Sequence, residues 1–247
     1  MNKRRLAILE MLNREETLDV NGLSRRLSVS AVTVRKDLAA LESQGLLRRQ
    51  HGYATKVSPN DVGYRMTLEY EVKKRIASRA CEMVENGEVV MIESGSTCAM
   101  LASELVQNKR DVTIVTNSAF IAGYVRAIPG ARVVLLGGFY DPDAQVMSGP
   151  LVRLCAEEFF VDKFFIGTDG YDPEQGFSNV DMLRSEAVRA MASRAQNRVI
   201  LTNSPKFNRR SVVLLLPAKD VFAVITDAVP DNCRASLEKN GVKIILA

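Results

Sequence analysis

The sequence predicts an α/β protein in two parts, a small winged helix-turn-helix followed by a larger Rossmann-like, mostly parallel α/β domain. Three observations predict it. Over residues 1–57, apolar positions recur at helical spacing in three short segments, then give way to a hairpin-length stretch around "RQHGYA". Beyond residue 69, compact apolar runs alternate with helical segments and end in small polar loops. Charge is also uneven. Residues 1–56 hold 11 Lys and Arg against 6 Asp and Glu, a net +5, whereas the rest of the chain holds 22 against 23, a net −1. A basic head on a neutral body suits a polyanion-binding module joined to a different kind of domain.

In the head, Leu6, Ile8, Leu9 and Leu12 mark a first helix ending near Asn13, and "TLDV" is a brief extended piece. "NGLSRRL" forms a second helix, with Leu23 and Leu27 four apart. "SVS" makes the turn, and Ser30 is placed to cap a third helix whose inner face carries Val34, Leu38 and Leu41. Gly45 stands where a helix-ending glycine belongs, and residues 46–57 form the hairpin. Residues 58–68, broken by Pro59, Asn60 and Gly63, read as a linker. Residues 69–247 then form the α/β domain. A helix over 69–85 precedes "EVVMIESGSTCAMLASEL", which reads as strand, loop and helix. "DVTIVTNSAFIAGYV" repeats that plan, and "ARVVLLGG", "KFFIGTDG", "RVILTNS" and "VFAVITD" supply further strands.

Turning Val34, Leu38 and Leu41 inward fixes the rest of the third helix at 100° per residue. Val32 and Lys36 then point away from the core, Arg35 flanks them, and Ser30 and Thr33 lie at the open start. This is the layout of a helix that enters the DNA major groove by its N-terminal half. Thr33 suits a phosphate or base, Val32 a thymine methyl, and Arg35 and Lys36 base edges or phosphates. Arg48, Arg49 and His51 sit on the wing, where they reach neighbouring backbone or minor groove. Arg25 and Arg26 fit either phosphate contact or plain solvation.

These residues resemble the N-terminal signature of the DeoR family of bacterial transcriptional regulators. Thr33, Val34, Arg35, Lys36, Asp37 and Leu38 match its T-[IV]-R-[RK]-D-L helix. His51 and Gly52 match its R-x-H-G-G wing, while Tyr53 replaces the second glycine. The resemblance implies a sequence-specific binder of double-stranded operator DNA, usually a repressor of sugar-catabolic genes.

The polar loops of the body all follow apolar strands, where open α/β sheets bind ligands. "SGST" (residues 94–97) opens a helix, so its amides and small hydroxyls suit an anion. It is neither a Walker A motif nor a dinucleotide fingerprint. With Thr116, Asn117, Gly138, Asp169 and Lys206 from the other loops, the set suits a small phosphorylated polyol. The resemblance continues here, to the DeoR-type sensor domain, which is similar to ribose-5-phosphate isomerases. Gly95, Ser96 and Thr97 match its D-x-G-[ST]-T element, with Glu93 in the acid position. Thr116-Asn117, Gly137-Gly138 and Gly167-Asp169-Gly170 match its later elements. Lys206 matches the final D-x-x-K, where Asn203 replaces the acid. The resemblance implies a phosphorylated-sugar effector bound by these residues.

The competing reading is a sugar-phosphate isomerase-like enzyme with an appended DNA-binding head, using Asp169 and Lys206 for enolisation. The basic head, Asn203 and a lone histidine on the wing favour a regulator without catalytic residues. Cys81, Cys98, Cys155 and Cys233 are widely spaced and form no C-x-x-C pair, so a zinc site or disulfide framework is not expected. No metal or cofactor is expected. Glu10 and Arg14 interrupt the first apolar run as a signal peptide would not, and no run approaches a membrane span. A cytoplasmic protein is expected. A two-fold assembly would place two heads on neighbouring half-sites, so a homodimer or homotetramer is expected, built by the body.

Overall fold

A computed structural model describes residues 3–50, 52–57 and 61–247. It divides the chain into two compact units, residues 1–70 and 71–247.

The head begins with α1 (Lys3–Glu15), β1 (Thr17–Asp19), α2 (Val20–Leu27) and α3 (Ala31–Ser43), followed by β2 (Arg48–Gln50), β3 (Tyr53–Thr55) and α4 (Val62–Thr67). Asp19 caps α2 by accepting from the Gly22 amide at 2.8 Å, and Ser30 caps α3 by accepting from the Thr33 amide at 3.2 Å. Gly45, at φ +72°, ends α3, and the Leu46 amide bonds back to the Leu41 carbonyl. Ile8, Leu9, Leu12, Leu23, Val34, Leu38, Leu41 and Leu47 form a core with essentially no exposure. At about 1.5–3 kcal/mol for each side chain buried, this core dominates the stability of so small a unit.

Two features of the head depart from expectation. The extended piece β1 is a sheet strand: it pairs antiparallel with β3, giving the order β1-β3-β2. The stretch 58–68, expected as a linker, contains α4. Asp61 caps this helix by accepting from the Gly63 amide, and Asn13 Nδ2 on α1 donates to Thr67 Oγ1 at 2.9 Å. A Cβ on Gly63 would lie 2.4 Å from the Gly45 carbonyl oxygen, so this glycine permits the backbone contact. The head therefore extends through α4, and the division falls at Tyr70.

The body opens with α5 (Tyr70–Cys81), β4 (Val89–Ile92), α6 (Ser96–Asn108), β5 (Thr113–Thr116), α7 (Ala119–Val125) and β6 (Arg132–Leu135). A hairpin of β7 (Phe139–Asp141) and β8 (Val146–Ser148) leads to α8 (Pro150–Glu157), β9 (Val161–Gly167), β10 (Gly170–Asp172), β11 (Gly176–Asn179) and α9 (Met182–Ala192). The chain ends with β12 (Ala195–Leu201), β13 (Val213–Leu216), β14 (Ala223–Thr226), α10 (Asp231–Lys239) and β15 (Lys243–Leu246).

Seven strands make one sheet, β15-β14-β12-β9-β4-β5-β6, with every pairing parallel. Val90, Met91, Ile92, Phe164, Phe165, Ile166, Val199, Ile200 and Leu201 are all buried. Both sheet faces are covered, which is why these strands read as unbroken apolar runs. Chain order reverses between β4 and β9, the switch point where such sheets open a crevice at the strand ends. A smaller antiparallel sheet, β10-β11-β13, stands apart from the main one.

Candidate functional site

The exposed pole of α3 carries Val32, 59% exposed, with Lys36 and Ala39 beside it. Ser30 and Thr33 join through their hydroxyls at 3.0 Å, so the cap also orders the start of this surface. Arg35 is exposed on the side of α3 nearest the wing. On the inner side, Asp37 is 2% exposed and bridges Arg4 and Arg5 of α1, with Arg5 Nε at 2.9 Å. Burial pushes the Asp37 carboxyl up, but hydrogen bonds and charge from the two arginines outweigh it and hold the group below the usual carboxylate range. Asp37 thus ties α3 to α1 and itself faces inward.

The wing arginines separate. Arg49 lies opposite Ala54, which lies opposite Leu18, and both of these are buried, so Arg49 shares the inner face of the three-stranded sheet. Its Nε meets Glu42 Oε2 at 3.0 Å, its amide donates to Glu42 Oε1 at 2.9 Å, and its Nη1 donates to the Arg35 carbonyl at 3.4 Å. Arg49 was expected simply to face DNA; it first fastens the wing to α3. Arg48, opposite Thr55, turns to the other face and is exposed. Arg26 pairs with Glu15, while Arg25 is exposed. His51 lies outside the described residues.

In the body, the switch point is closed by Glu93. Its Oε2 accepts from the Gly95 amide at 2.7 Å and the Gly167 amide at 3.1 Å, and its Oε1 accepts from Ser94 Oγ at 2.8 Å. A Cβ on Gly95 or Gly167 would lie 3.0 Å from Glu93 Oε2 and 3.4 Å from the other glycine's Cα. Any larger residue at either position would have to push the Glu93 carboxylate by a few tenths of an ångström, so glycine lets the two loops meet closely. Glu93, expected among the effector-binding residues, links the loops after β4 and β9. Beneath it, burial pushes the Cys98 thiol well up, the Glu93 carboxylate adds to that, and Lys206 opposes it. Lys206 therefore stands within electrostatic reach of the same spot. Its Nζ donates to the Thr168 carbonyl at 2.5 Å.

The start of α6 is open. Gly95 provides no side-chain cap, and the first helical bond runs from the Ala99 amide to the Gly95 carbonyl at 2.9 Å. Ser96 and Thr97 lie there at 8% and 6% exposure. Thr116, fully buried, accepts from the Ser118 amide at 3.1 Å and so braces its own loop. Asn117 donates to the Met147 carbonyl at 2.9 Å, and its buried Oδ1 has no partner among the described residues. Gly138 serves close packing, since a Cβ there would meet the Ser148 carbonyl oxygen at 2.7 Å. Asp169 is half-buried and accepts from the Val180 amide at 3.2 Å.

Sequence reasoning missed Asp227, which accepts from both the amide and Oγ of Ser204 at 2.7 and 2.8 Å and so holds the turn that presents Lys206. It ends a strand in the same way as the other loop residues, and that signal was present in "VFAVITD". Asn179, which accepts from the Asp169 amide at 3.1 Å, and Thr202, whose buried hydroxyl has no partner among the described residues, were also unread. Among the described residues no group of His, Cys, Asp and Glu could hold a metal, and no helix is long and apolar enough to cross a membrane.

Residues 4–60 match the DeoR-like helix-turn-helix domain family, and residues 68–228 match the DeoR C terminal sensor domain family. The chain is 30% identical over 253 residues to a candidate aga operon transcriptional repressor of Escherichia coli O157:H7, covering 99% of this chain and 93% of that one. It is 29% identical to the HTH-type transcriptional regulator GlpR of Haloferax volcanii, covering 98% and 96%. It is 24% identical to the L-fucose operon activator of Haemophilus influenzae, covering each in full. Among solved structures, ribose 5-phosphate isomerase A from Methanocaldococcus jannaschii is similar at TM-score 0.41 and 18% identity, over 56% of this chain and 55% of that one.

Proposed function

The chain belongs to the DeoR family of DNA-binding transcriptional regulators, and from that premise we propose that it represses sugar-metabolism genes under the control of a phosphorylated sugar. The effector's phosphate sits on the open amides of α6 at Ser96 and Thr97, within reach of Lys206. Its hydroxyls meet Asn117 and Asp169. The uncapped start of α6, flanked by two nearly buried hydroxyl residues and approached by one lysine, is the observation that carries this reading. The relative named for the L-fucose operon supports the sugar part. The protein acts in the cytoplasm as a homodimer or homotetramer assembled by its body, and effector binding alters DNA affinity by favouring one arrangement of the heads.

Calorimetric titration of the full chain with a panel of sugar phosphates, beside the same sugars unphosphorylated, tests it. One phosphorylated sugar should bind and shift DNA affinity, and Lys206→Ala should weaken it roughly tenfold or more, the range for a charged hydrogen bond. Binding of the unphosphorylated sugars alone would overturn the site. Rapid isomerisation of the ligand would favour an enzyme.

A further inference from the structure

A cavity of about 270 Å³ lies in the head, lined among the described residues by Val20, Arg35, Leu38, Arg49, Gly52 and Tyr53. Its walls are α3 on one side and Arg49, Gly52 and Tyr53 on the other. Val20 and Leu38 are buried and form its floor. Two guanidinium groups border it in different states. Arg49 is held by Glu42 and by the Arg35 carbonyl. Arg35 is exposed and makes no ion pair among the described residues.

Helix geometry explains why Arg35 lies there. At 100° per residue, Arg35, Leu38 and Glu42 share one flank of α3, and Glu42 is bonded to the wing strand. Val32, Lys36 and Ala39 share the exposed pole beside it. The two stripes therefore face different parts of a duplex. When α3 lies in the major groove and the wing approaches the adjoining minor groove, one sugar-phosphate strand must pass between them.

We infer that this cavity is a phosphodiester site that seats that strand, with Arg35 and the braced Arg49 on phosphate oxygens. The inference rests on the DNA-binding reading and divides its residues. Arg35 positions the helix without regard to sequence, and the pole of Val32 and Lys36 reads bases. Charge agrees: two arginines against one glutamate leave the cavity cationic before an anion arrives. Fixing Arg49 beforehand also lowers the ordering that binding requires.

The test uses the full chain and two duplexes of about two helical turns. One is selected by the wild type from a random library, and the other is of mixed sequence. Arg35→Ala should weaken both by a similar factor, roughly tenfold, and lower the salt-dependence slope by about one. The ratio between the two duplexes should stay unchanged, and Arg35→Lys should restore the slope. Lys36→Ala should instead shrink the ratio. If Arg35→Ala shrinks the ratio while binding to the mixed duplex holds, Arg35 reads a base and the inference is wrong. If selection with the folded wild-type chain enriches no duplex, and the mixed duplex is not bound either, the DNA-binding reading itself fails.

Discussion

In the head, the cations proposed to meet DNA are exposed, and in the body the hydroxyl and amide side chains proposed to meet an effector are nearly enclosed. Arg35, Lys36 and Arg48 stand in solvent, while Ser96, Thr97 and Asn117 are at most 8% exposed. Each region also contains carboxylates that brace its own elements. Asp37 and Glu42 hold α3 to α1 and to the wing; Glu93 and Asp227 hold the strand-end loops. The difference teaches what each surface can recognise. A polyanion of great length is met by many screened charges, whereas a small ligand needs a few unscreened donors in fixed places.

The largest expected effect separates the two regions by salt. Raising it from about 50 to 200 mM should weaken operator binding by roughly 10³-fold if an assembled protein neutralises six or more phosphates. Effector affinity, measured in the same buffers, should change by less than about threefold because its donors are buried. Equal sensitivity would break the comparison. Next, Glu93→Ala leaves the Gly95 and Gly167 amides without an acceptor, which should cost the body about 2–6 kcal/mol at roughly 1–3 for each. Denaturant unfolding should show that loss, with effector binding abolished. The smallest effect is Asp37→Asn, about 1–2 kcal/mol, because Arg4 and Arg5 are about a third exposed and recover solvent. Folding lowers the Asp37 proton affinity, so its stabilisation is present above the unfolded value and fades as pH falls below about 4. Melting curves of wild type and Asp37→Asn should therefore converge in acid.

Much of the head was legible because its signals are local. The caps at Asp19 and Ser30, the i, i+4, i+7 seam of Val34, Leu38 and Leu41, and Gly45 each act within a few residues. The pairing of β1 with β3 was not legible, since it joins Thr17 to Thr55 across the whole head. Breakers at Pro59 and Asn60 masked α4, though Asp61 was there as its cap. In the body, strands buried on both faces announced themselves, but β10, β11 and β13 are short and paired at a distance. Candidate site residues stand out by type and by position in the loops. Their partners do not: nothing in the spacing of Glu93 says that its carboxylate is taken by the Gly167 amide, 74 residues away.

The closure of the switch point by Glu93 also sets clocks. Amide protons of Gly95 and Gly167, held on a buried carboxylate, should exchange with deuterated solvent only when that part of the sheet opens. One residue further on, the Ser96 and Thr97 amides lie at a helix start with no side-chain cap among the described residues and should exchange early. Two timescales then coexist within three consecutive residues, and an anion arriving there would slow only the fast pair.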